Sequence, residues 1–424
     1  MKFTVNAVAK SGARIGSLTE FARIPHMVLD TPYLLLHTRG GSVPNLSYDL
    51  LQMVTKEPQM MQVPLVTLVE HAKNIGAFGK GIGEFAGLQE HLHYATMQDS
   101  GTSTPEGYHD KHAVSLWTRN GRKLIDASTY ISCMEALKPD VFQMMPDSDT
   151  TPKSSAKRVK TSVDATVRFA RTCSELKEKS EVLRDTPVLA CLTGGFNVHE
   201  RRRCIEELKE FNVSGYVIEG FHTNGLSATN MIWNDIEPIL IEILAALPQD
   251  RPRIFHGPVT PILLMKLLSK GVDVVDATFP WMAAERGGAL IFPNSISDSG
   301  ADGMVTETLP CVKQVANTNK SHPDDQAEEE PVDRSYEINL NDKLYFNDAQ
   351  PLVSGCCCYC CRKYARSYVH HLLATKELLA PMLLMMHNLH HYLNFFGSIR
   401  SAIQNDRLDD LQARLERFVA SRTN

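Results

Sequence analysis

Features that define several large classes of proteins are missing from this sequence. No apolar run approaches the roughly 18 residues that a membrane span requires, and the longest candidates, at 239–247 and 378–386, are short. The opening residues, MKFTVNAVAK, show neither the apolar core of a secretion signal nor an arginine-rich transit pattern. We therefore expect an intracellular protein.

A surplus of basic residues is also missing. The 424 residues carry a formal net charge of −5 at pH 7, so the chain is not a globally basic nucleic-acid binder. Any phosphate contact must come from a local patch. Two basic clusters are present, one of Lys153, Lys157, Arg158 and Lys160 and one of the arginines at 201–203. We interpret such runs first as solvated helix faces and second as sites of phosphate contact.

The cysteines do not form the pattern of a disulfide framework. Five are scattered singly in apolar or helical contexts, where a reduced, buried thiol is the usual state: Cys133, Cys173, Cys191, Cys204 and Cys311. The other five lie within residues 356–361. Neighbouring cysteines are poorly placed to pair with one another. In a reducing compartment such a cluster indicates a metal site.

The cysteine cluster is followed by a helical stretch that is rich in histidine. The candidate imidazoles are His370, His371, His387, His390 and His391. A structural zinc site needs four ligands in a tetrahedron, and three thiolates from a tight turn plus one imidazole from a helix meet that need. Spacing alone leaves the choice among these thiols and imidazoles open. A palmitoylated or redox-active cysteine run is the alternative.

The middle of the chain alternates short apolar segments with amphipathic ones. The apolar segments lie at 186–193, 214–221, 252–257 and 272–279, and the amphipathic ones at 198–211, 232–247 and 262–269. This alternation predicts a parallel sheet. In a chain of this length it fits a (β/α)₈ TIM-type barrel or a doubly wound sheet. No G-x-G-x-x-G follows a first strand, which disfavours the dinucleotide-binding form of the latter.

The two ends of the chain differ from the middle. Residues 3–8 and 13–18 flank a Lys-Ser-Gly turn, which predicts an amino-terminal hairpin. Residues 313–334 are polar and acidic, which predicts a disordered insert. We therefore divide the chain into the main part of a barrel (1–312), the insert (313–334), and a zinc-binding subdomain whose carboxyl-terminal helices complete the barrel (335–424).

Several motifs resemble those of the tRNA-guanine transglycosylases. Cys356-x-Cys358-x₂-Cys361, with His387 after 25 intervening residues, resembles the zinc signature of that family. The segments GARIGSL, DTPYLLLHTRGG, SGYVIEGF, LPQDRPRIFHG and GVDVVDATFP are similar to its opening hairpin and barrel strands. The resemblance implies an α/β fold, a (β/α)₈ barrel with an attached zinc subdomain. It also implies one structural Zn²⁺ per chain, held by Cys356, Cys358, Cys361 and His387.

Members of this family exchange the wobble guanine of a tRNA anticodon for a free deazaguanine base. An aspartate attacks the ribose carbon and forms a covalent intermediate. The resemblance places that aspartate at Asp276, at the carboxyl end of a predicted strand, which is the active face of such a barrel. Taken alone, an aspartate at a strand end is also consistent with capping of a loop.

The surroundings of Asp276 depart from the family pattern. The family's base-binding glutamine is replaced by Thr193, its Gly-Gly-Leu by Glu219-Gly220-Phe221, and its Asp-Ser-Gly-Gly-Phe-Gln loop is reduced to Asp99-Ser100-Gly101-Thr102. A glutamate at 219 would fill the pocket and place a charge against the base. An aspartate without base-binding groups has no bound geometry to act on. We therefore interpret the pocket as degenerate.

The segment after Asp276 departs from the family as well. Two arginines that would meet tRNA are replaced by Met282 and Glu285. Without two cations facing phosphates, affinity falls through reduced counterion release. Arg286, one place further on, offers partial compensation.

The resemblance, above all in LLHTRGGSVPNLS and the acidic insert, is to the family's non-catalytic accessory members. It implies a heterodimer with a catalytic queuine tRNA-ribosyltransferase subunit, tRNA contact through that complex, and no catalytic residue in this chain. A homodimer is also compatible. It further implies a cytoplasmic location with peripheral attachment to the mitochondrial outer membrane. Two alternatives stay open: an active transglycosylase that uses Asp276, and a zinc-stabilised binding module outside tRNA modification.

Overall fold

A computed structural model describes residues 1–108, 110–295 and 332–423. The strands are β1 Lys2–Val8, β2 Arg14–Thr19, β3 Leu29–Thr31, β4 Tyr33–His37, β5 Met60–Pro64, β6 Leu92–Thr96, β7 Ala113–Thr118, β8 Gly121–Asp126, β9 Val141–Gln143, β10 Val188–Leu192, β11 Gly215–Ile218, β12 Arg253–Phe255, β13 Val274–Asp276, β14 Gly288–Leu290 and β15 Glu337–Asn339. The helices are α1 Tyr48–Val54, α2 Ala72–Phe78, α3 Gly81–Phe85, α4 Ala127–Leu137, α5 Ala156–Lys179, α6 Val198–Leu208, α7 Leu226–Thr229, α8 Trp233–Ala246, α9 Pro261–Ser269, α10 Thr278–Glu285, α11 Tyr359–Lys363, α12 Arg366–Ala374, α13 Leu379–Gln404 and α14 Leu408–Thr423.

Eight parallel strands close into a barrel, in the order β10-β11-β12-β13-β4-β5-β6-β9. Closure is made by β13 and β4, where Val274 pairs with Tyr33 and Asp276 with Leu35. All residues of these strands are buried, which agrees with their near-continuous apolar sequences. The predicted (β/α)₈ barrel is confirmed, and the doubly wound alternative is wrong.

The predicted strands are present but shorter than the apolar segments that indicated them. Strand β10 occupies Val188–Leu192 and β13 only Val274–Asp276. The segment at 272–279 is cut short because helix α10 begins at Thr278. Apolar residues at a strand-to-helix turn therefore belong to the core without belonging to the strand.

The predicted amino-terminal hairpin is also confirmed. Strands β1 and β2 pair antiparallel, and β3 adds to β2. Phe3 and Leu18 from this sheet, and Phe21 just after β2, pack in one core cluster with barrel residues such as Leu92 and Val274. Buried Arg14 of β2 forms an ion pair with Asp273, which precedes β13. The hairpin thus seals one end of the barrel with apolar contacts and a buried salt bridge.

Two compact units are present in the chain. The first comprises Met1–Phe279 with Ile399–Leu408, and the second comprises Pro280–Ser398 and the residues from Asp409 onward. Most of the insert expected at 313–334 falls outside the described residues. In the second unit, β14 and β15 pair antiparallel. Among the described helices, none combines the length and the hydropathy needed to cross a membrane.

Candidate functional site

The four residues of the predicted zinc set come together in the second unit. The ligand atoms of Cys356, Cys358, Cys361 and His387 all lie within 4.8 Å of one another. Nδ1 of His387 lies 3.9, 3.5 and 3.4 Å from the sulfur atoms of Cys356, Cys358 and Cys361 respectively. Cys358 caps helix α11, which carries Cys361. The cysteines thus come from one tight turn and the histidine from α13.

This arrangement fits a tetrahedral metal ion. With Zn–S bonds of about 2.3 Å and Zn–N bonds of about 2.0 Å, tetrahedral angles place sulfur and nitrogen ligands about 3.5 Å apart. The three observed N–S distances, 3.4 to 3.9 Å, bracket that value. Three thiolates and one imidazole form a set that can bind an ion without an open coordination position. Such a site can stabilise structure but offers no place for a substrate.

The orientation of His387 is set by its other nitrogen. Nε2 donates to the backbone oxygen of Leu290 at 2.9 Å, which leaves the Nδ1 lone pair for the metal. Burial opposes protonation of His387, but hydrogen bonds to Cys356 and Cys358 outweigh it and raise the pKa of the imidazole to about 10 in the absence of an ion. A metal ion would take the place of that proton on Nδ1.

Two neighbours of His387 on α13 hold the same stretch of chain. The side chain of Asn388 accepts from the N–H of Leu290 at 2.9 Å and donates to the oxygen of Gly288 at 3.0 Å. Nε2 of His391 donates to the oxygen of Phe292 at 2.8 Å, and burial lowers the pKa of His391 to about 3. His391 is therefore a neutral, structural residue. The sequence pattern did not point to Asn388, because an asparagine within a helix carries no signal of its own.

The remaining thiols and imidazoles of the region lie outside the four-ligand set. Cys360 is buried, whereas Cys357 is exposed and its Sγ lies 3.5 Å from Nε2 of His390. His370 is buried and contacts the backbone oxygen of Leu340 at 2.8 Å. His371 is exposed.

Asp276, the position that resembles the family nucleophile, lies at the end of β13 in the first unit. Its Oδ2 accepts from the N–H of Gly257 at 2.8 Å, and its Oδ1 accepts from the N–H of Thr278 at 3.0 Å. The side chain is 2% exposed. Both oxygens therefore join neighbouring loops, as the capping interpretation expects.

Aromatic and acidic side chains surround the strand ends near Asp276. The Glu219 carboxylate lies 3.7 Å from Nδ1 of His256 and is largely buried. Phe221 packs against the ring of Phe255, with ring centroids 6.5 Å apart. The ring centroids of Tyr94 and His256 lie 5.6 Å apart. Burial raises the pKa of the Tyr94 hydroxyl well above its usual value. Glu219 and Phe221 therefore follow the end of β11 and pack with His256 and Phe255.

The loop of Thr193, Gly194 and Gly195 is stabilised by the buried side chain of Arg201. The Thr193 hydroxyl bonds to that of Thr166 at 3.0 Å. Arg201 donates to the oxygens of Gly195 at 2.8 Å and Leu192 at 2.9 Å, and its guanidinium lies 3.9 Å from the ring centre of Phe221. Burial lowers the pKa of Arg201 to about 9. The interpretation of 201–203 as a solvated face is wrong at Arg201.

The side chain of Asp99 is buried and contacts Arg39, His37 and Thr102. Its carboxylate lies 3.1 Å from Nε of Arg39 and 3.4 Å from Nε2 of His37. The Thr102 hydroxyl also donates to it at 3.0 Å. A cavity of about 480 Å³ opens here, with Asp99, Arg39 and Trp117 in its lining. Neither Asp276 nor Glu219 lines this cavity.

Several of the basic residues singled out in the sequence are already paired. Arg158 donates to Asp147, Arg202 bonds to Glu242, and Arg203 pairs with Glu200. Lys153, Lys157 and Lys160, by contrast, are exposed.

In the second unit, the partial compensation expected from Arg286 is not available. Its guanidinium binds the buried Glu337 carboxylate, with Nε–Oε1 of 2.8 Å and Nη2–Oε2 of 2.6 Å.

The protein is thus a (β/α)₈ barrel protein whose chain also carries a Cys₃His cluster that could hold a metal ion. The model of the family described as queuine tRNA-ribosyltransferase matches residues 9–421. The chain therefore belongs to the queuine tRNA-ribosyltransferase family.

Curated relatives extend this similarity over nearly the whole chain. A Xenopus tropicalis protein named "Queuine tRNA-ribosyltransferase accessory subunit 2" is 38% identical over 418 residues, covering 97% of this chain and 98% of that protein. Proteins of the same name from Danio rerio and Homo sapiens are 36% and 34% identical, covering 97% and 98% of this chain and 98% and 99% of their own lengths.

Proposed function

We propose that this chain is the non-catalytic subunit of a heterodimeric queuine tRNA-ribosyltransferase. In that complex it assists assembly and tRNA binding while a catalytic partner exchanges the wobble guanine of GUN anticodons for queuine. The observation that carries this proposal is the near-full-length similarity to relatives named as accessory subunits of that enzyme.

The geometry of the barrel interior supports a non-catalytic role. A carboxylate attacks most readily when an oxygen is free to approach the substrate, but both oxygens of Asp276 accept backbone hydrogen bonds. The charged Glu219 and the bulky Phe221 stand where the family has small, neutral groups. A neutral base entering beside Glu219 would meet an anion rather than a neutral hydrogen-bond donor. Transition-state positioning is thereby lost.

Reconstitution tests the proposal. Purified chain, a catalytic partner and the mixture are incubated with tRNA and labelled guanine. We expect incorporation only when the partner is present, with a higher rate in the mixture. The Asp276→Asn variant keeps the size of the side chain but loses one of its two backbone hydrogen bonds, so at equal concentration of folded protein it should support the mixture as well as the wild type does. Incorporation by this chain alone that disappears in Asp276→Asn would show it to be an active transglycosylase. An unchanged partner rate and no co-purification with a transglycosylase subunit would favour a separate binding module.

We further propose that the ion held by the Cys₃His cluster is zinc. Thiolates favour soft or borderline ions, and a tetrahedral S₃N set suits Zn²⁺. Elemental analysis of purified protein should give one zinc per chain. Removal of the ion with a chelator should destabilise the second unit and weaken pairing with the catalytic subunit, because the bonds that join the cysteine turn to α13 through the ion would be lost. Retention of full stability in metal-free protein would contradict a structural role.

The cellular setting follows from the same proposal. We propose a cytoplasmic protein that can attach peripherally to the mitochondrial outer membrane, in a heterodimer and, in the absence of the partner, as a homodimer. Fractionation with an alkaline wash, which removes peripheral proteins, checks the attachment.

A further inference from the structure

Two donors that the four-ligand set does not use face each other at the surface of the second unit. Cys357 is exposed, and its Sγ lies 3.5 Å from Nε2 of His390. His390 is three residues after His387 on α13, so the two imidazoles share one side of the helix. In sequence, Cys357 stands between the ligands Cys356 and Cys358. The pair therefore borders the metal cluster.

The His390 nitrogen in this pair is an acceptor. The side-chain amide of Asn394 donates to Nε2 of His390 at 3.0 Å, so an ion that binds Nε2 would take the place of this hydrogen bond. The Sγ–Nε2 distance of 3.5 Å equals the separation of about 3.5 Å expected for a thiolate and an imidazole on one tetrahedral ion. The geometry thus suits shared coordination of one ion. With two protein donors, an ion bound here keeps two positions for water or for incoming ligands.

Three of the four cluster ligands are buried and Cys356 is half-buried, so an ion needs a path to the three inner donors. His387 is 0% exposed, and Cys358 and Cys361 are 5% and 9% exposed. A hydrated ion must exchange its waters for these buried donors in steps. A donor pair that is reachable from solvent and adjacent in sequence to two of the final ligands would lower the barrier to the first exchange.

We propose that Cys357 and His390 form an entry site that captures a thiophilic divalent ion from solvent and passes it to Cys356, Cys358, Cys361 and His387. On capture, the Cys357 thiol releases its proton to water as the metal–sulfur bond forms. On transfer, Cys356, Cys358, Cys361 and His387 would replace Cys357 and His390 on the ion, the protons that these four ligands carry would pass to water, and Cys357 would take up a proton again. This route rests on the proposed metal-binding role of the cluster.

Metal exit from the folded protein tests the route, since entry and exit share the same intermediate. Zinc-loaded full-length chain is mixed with a chromogenic chelator, and the transfer rate is followed by absorbance. We expect Cys357→Ser and His390→Ala to slow transfer by about ten-fold while both still hold one zinc per chain. Cys360→Ala is the matched control, because Cys360 is also a spare thiol but is buried. Its transfer rate should equal that of the wild type.

Cobalt supplies a second measurement that does not depend on rates. Beyond one equivalent of Co²⁺, the wild type should show an additional, weaker thiolate-to-cobalt absorption band. That band should disappear in Cys357→Ser and persist in Cys360→Ala. Wild-type transfer rates in Cys357→Ser, or saturation of the wild type at one equivalent, would overturn the entry site. Absence of bound zinc from the wild type would overturn the metal cluster itself, and the two failures are thus distinguishable.

Discussion

Arg201, Arg202 and Arg203 follow one another on α6, yet their surroundings differ. Arg201 is 1% exposed and binds two backbone oxygens, while the side chain of Arg202 is 60% exposed and pairs with Glu242. Nε and Nη1 of Arg201 make these two hydrogen bonds, while Nη2 has no hydrogen-bond partner among the described residues and the guanidinium lies over the ring of Phe221. Arg201 therefore fixes the loop of Gly194 and Gly195 against the ring of Phe221.

We expect Arg201→Ala to lower the free energy of unfolding by about 2–4 kcal/mol, because it leaves the buried oxygen of Gly195 without a partner and opens a cavity beside Phe221, while the oxygen of Leu192 keeps the N–H of Glu219. Arg202→Ala, one residue away, should change it by less than about 1 kcal/mol, since exposed ion pairs contribute little. Urea denaturation of the two variants checks the contrast. Equal losses would show that Arg201 does not hold the loop.

Some residues of the site were predictable from the sequence and others were not. Cys356, Cys358, Cys361 and His387 come together in the structure, and they could be chosen only because the resemblance to the family's zinc signature selects them, since spacing alone left the choice open. Arg201 could not be chosen, because its burial depends on a loop that it contacts only in the folded chain. In the sequence, a run of three arginines predicts a solvated helix face. Arg286 was misjudged for a similar reason: its partner Glu337 lies 51 residues away in sequence. Long-range polar pairs leave little trace in local patterns.

At the scale of elements, α13 combines a residue of the candidate metal site with a backbone clamp. His387 belongs to that site, and Asn388 pairs both with the N–H of Leu290 and with the oxygen of Gly288. Strand β14 is only three residues long and pairs with one other strand, so it has few hydrogen bonds of its own. The helix side chains complete its bonding.

We expect Asn388→Ala to cost about 2–3 kcal/mol of stability, because buried backbone groups of β14 lose their partners. Asn405→Ala is a suitable comparison, since its exposed amide donates to the oxygen of Ser401 in the same helical region. The free energy of unfolding of that variant should differ from that of the wild type by less than about 0.5 kcal/mol. Thermal unfolding of metal-loaded protein measures both. A cost at Asn388 no larger than that at Asn405 would contradict the clamp.

The barrel strands were the most predictable elements. Continuous apolar runs at 186–193 and 214–221 indicated them because parallel strands are covered on both faces. Their lengths were overestimated because turn residues next to a strand are buried too. The hairpin β7–β8 was not predicted, since its residues alternate weakly and only five of the twelve are buried.

At the scale of the whole molecule, the chain is acidic, so any tRNA contact depends on where its free positive charges lie. Helix α5 follows strand β9 and carries exposed Lys157 and Lys160 near its first turn, with Lys153 just before it. The start of a helix that follows a barrel strand lies at the carboxyl-terminal face of the strands. These three lysines therefore lie at the barrel face that family members use for chemistry.

Replacing Lys153, Lys157 and Lys160 by glutamate should weaken tRNA binding by the heterodimer. The salt dependence of binding should also fall, by about one power of salt concentration for each phosphate that the lysines no longer neutralise. The matched control replaces Arg171, Lys177 and Lys179, which lie in the second half of the same helix. Both variants change the net charge equally. Filter binding over a range of salt concentrations compares them. Unchanged affinity at low salt in the first variant would reject this binding surface.

Helix α13 belongs to both compact units: its residues up to Ser398 lie in the second, and Ile399 begins the last segment of the first. That segment is anchored in the first unit, where Arg400 donates to the oxygen of Pro32 at 2.9 Å and Asp406 pairs with Lys10 at 2.7 Å. No single cut in the gene can therefore separate the two units intact. A premature stop codon anywhere before residue 399 would also remove part of the barrel unit, so nonsense alleles should behave as losses of the entire protein.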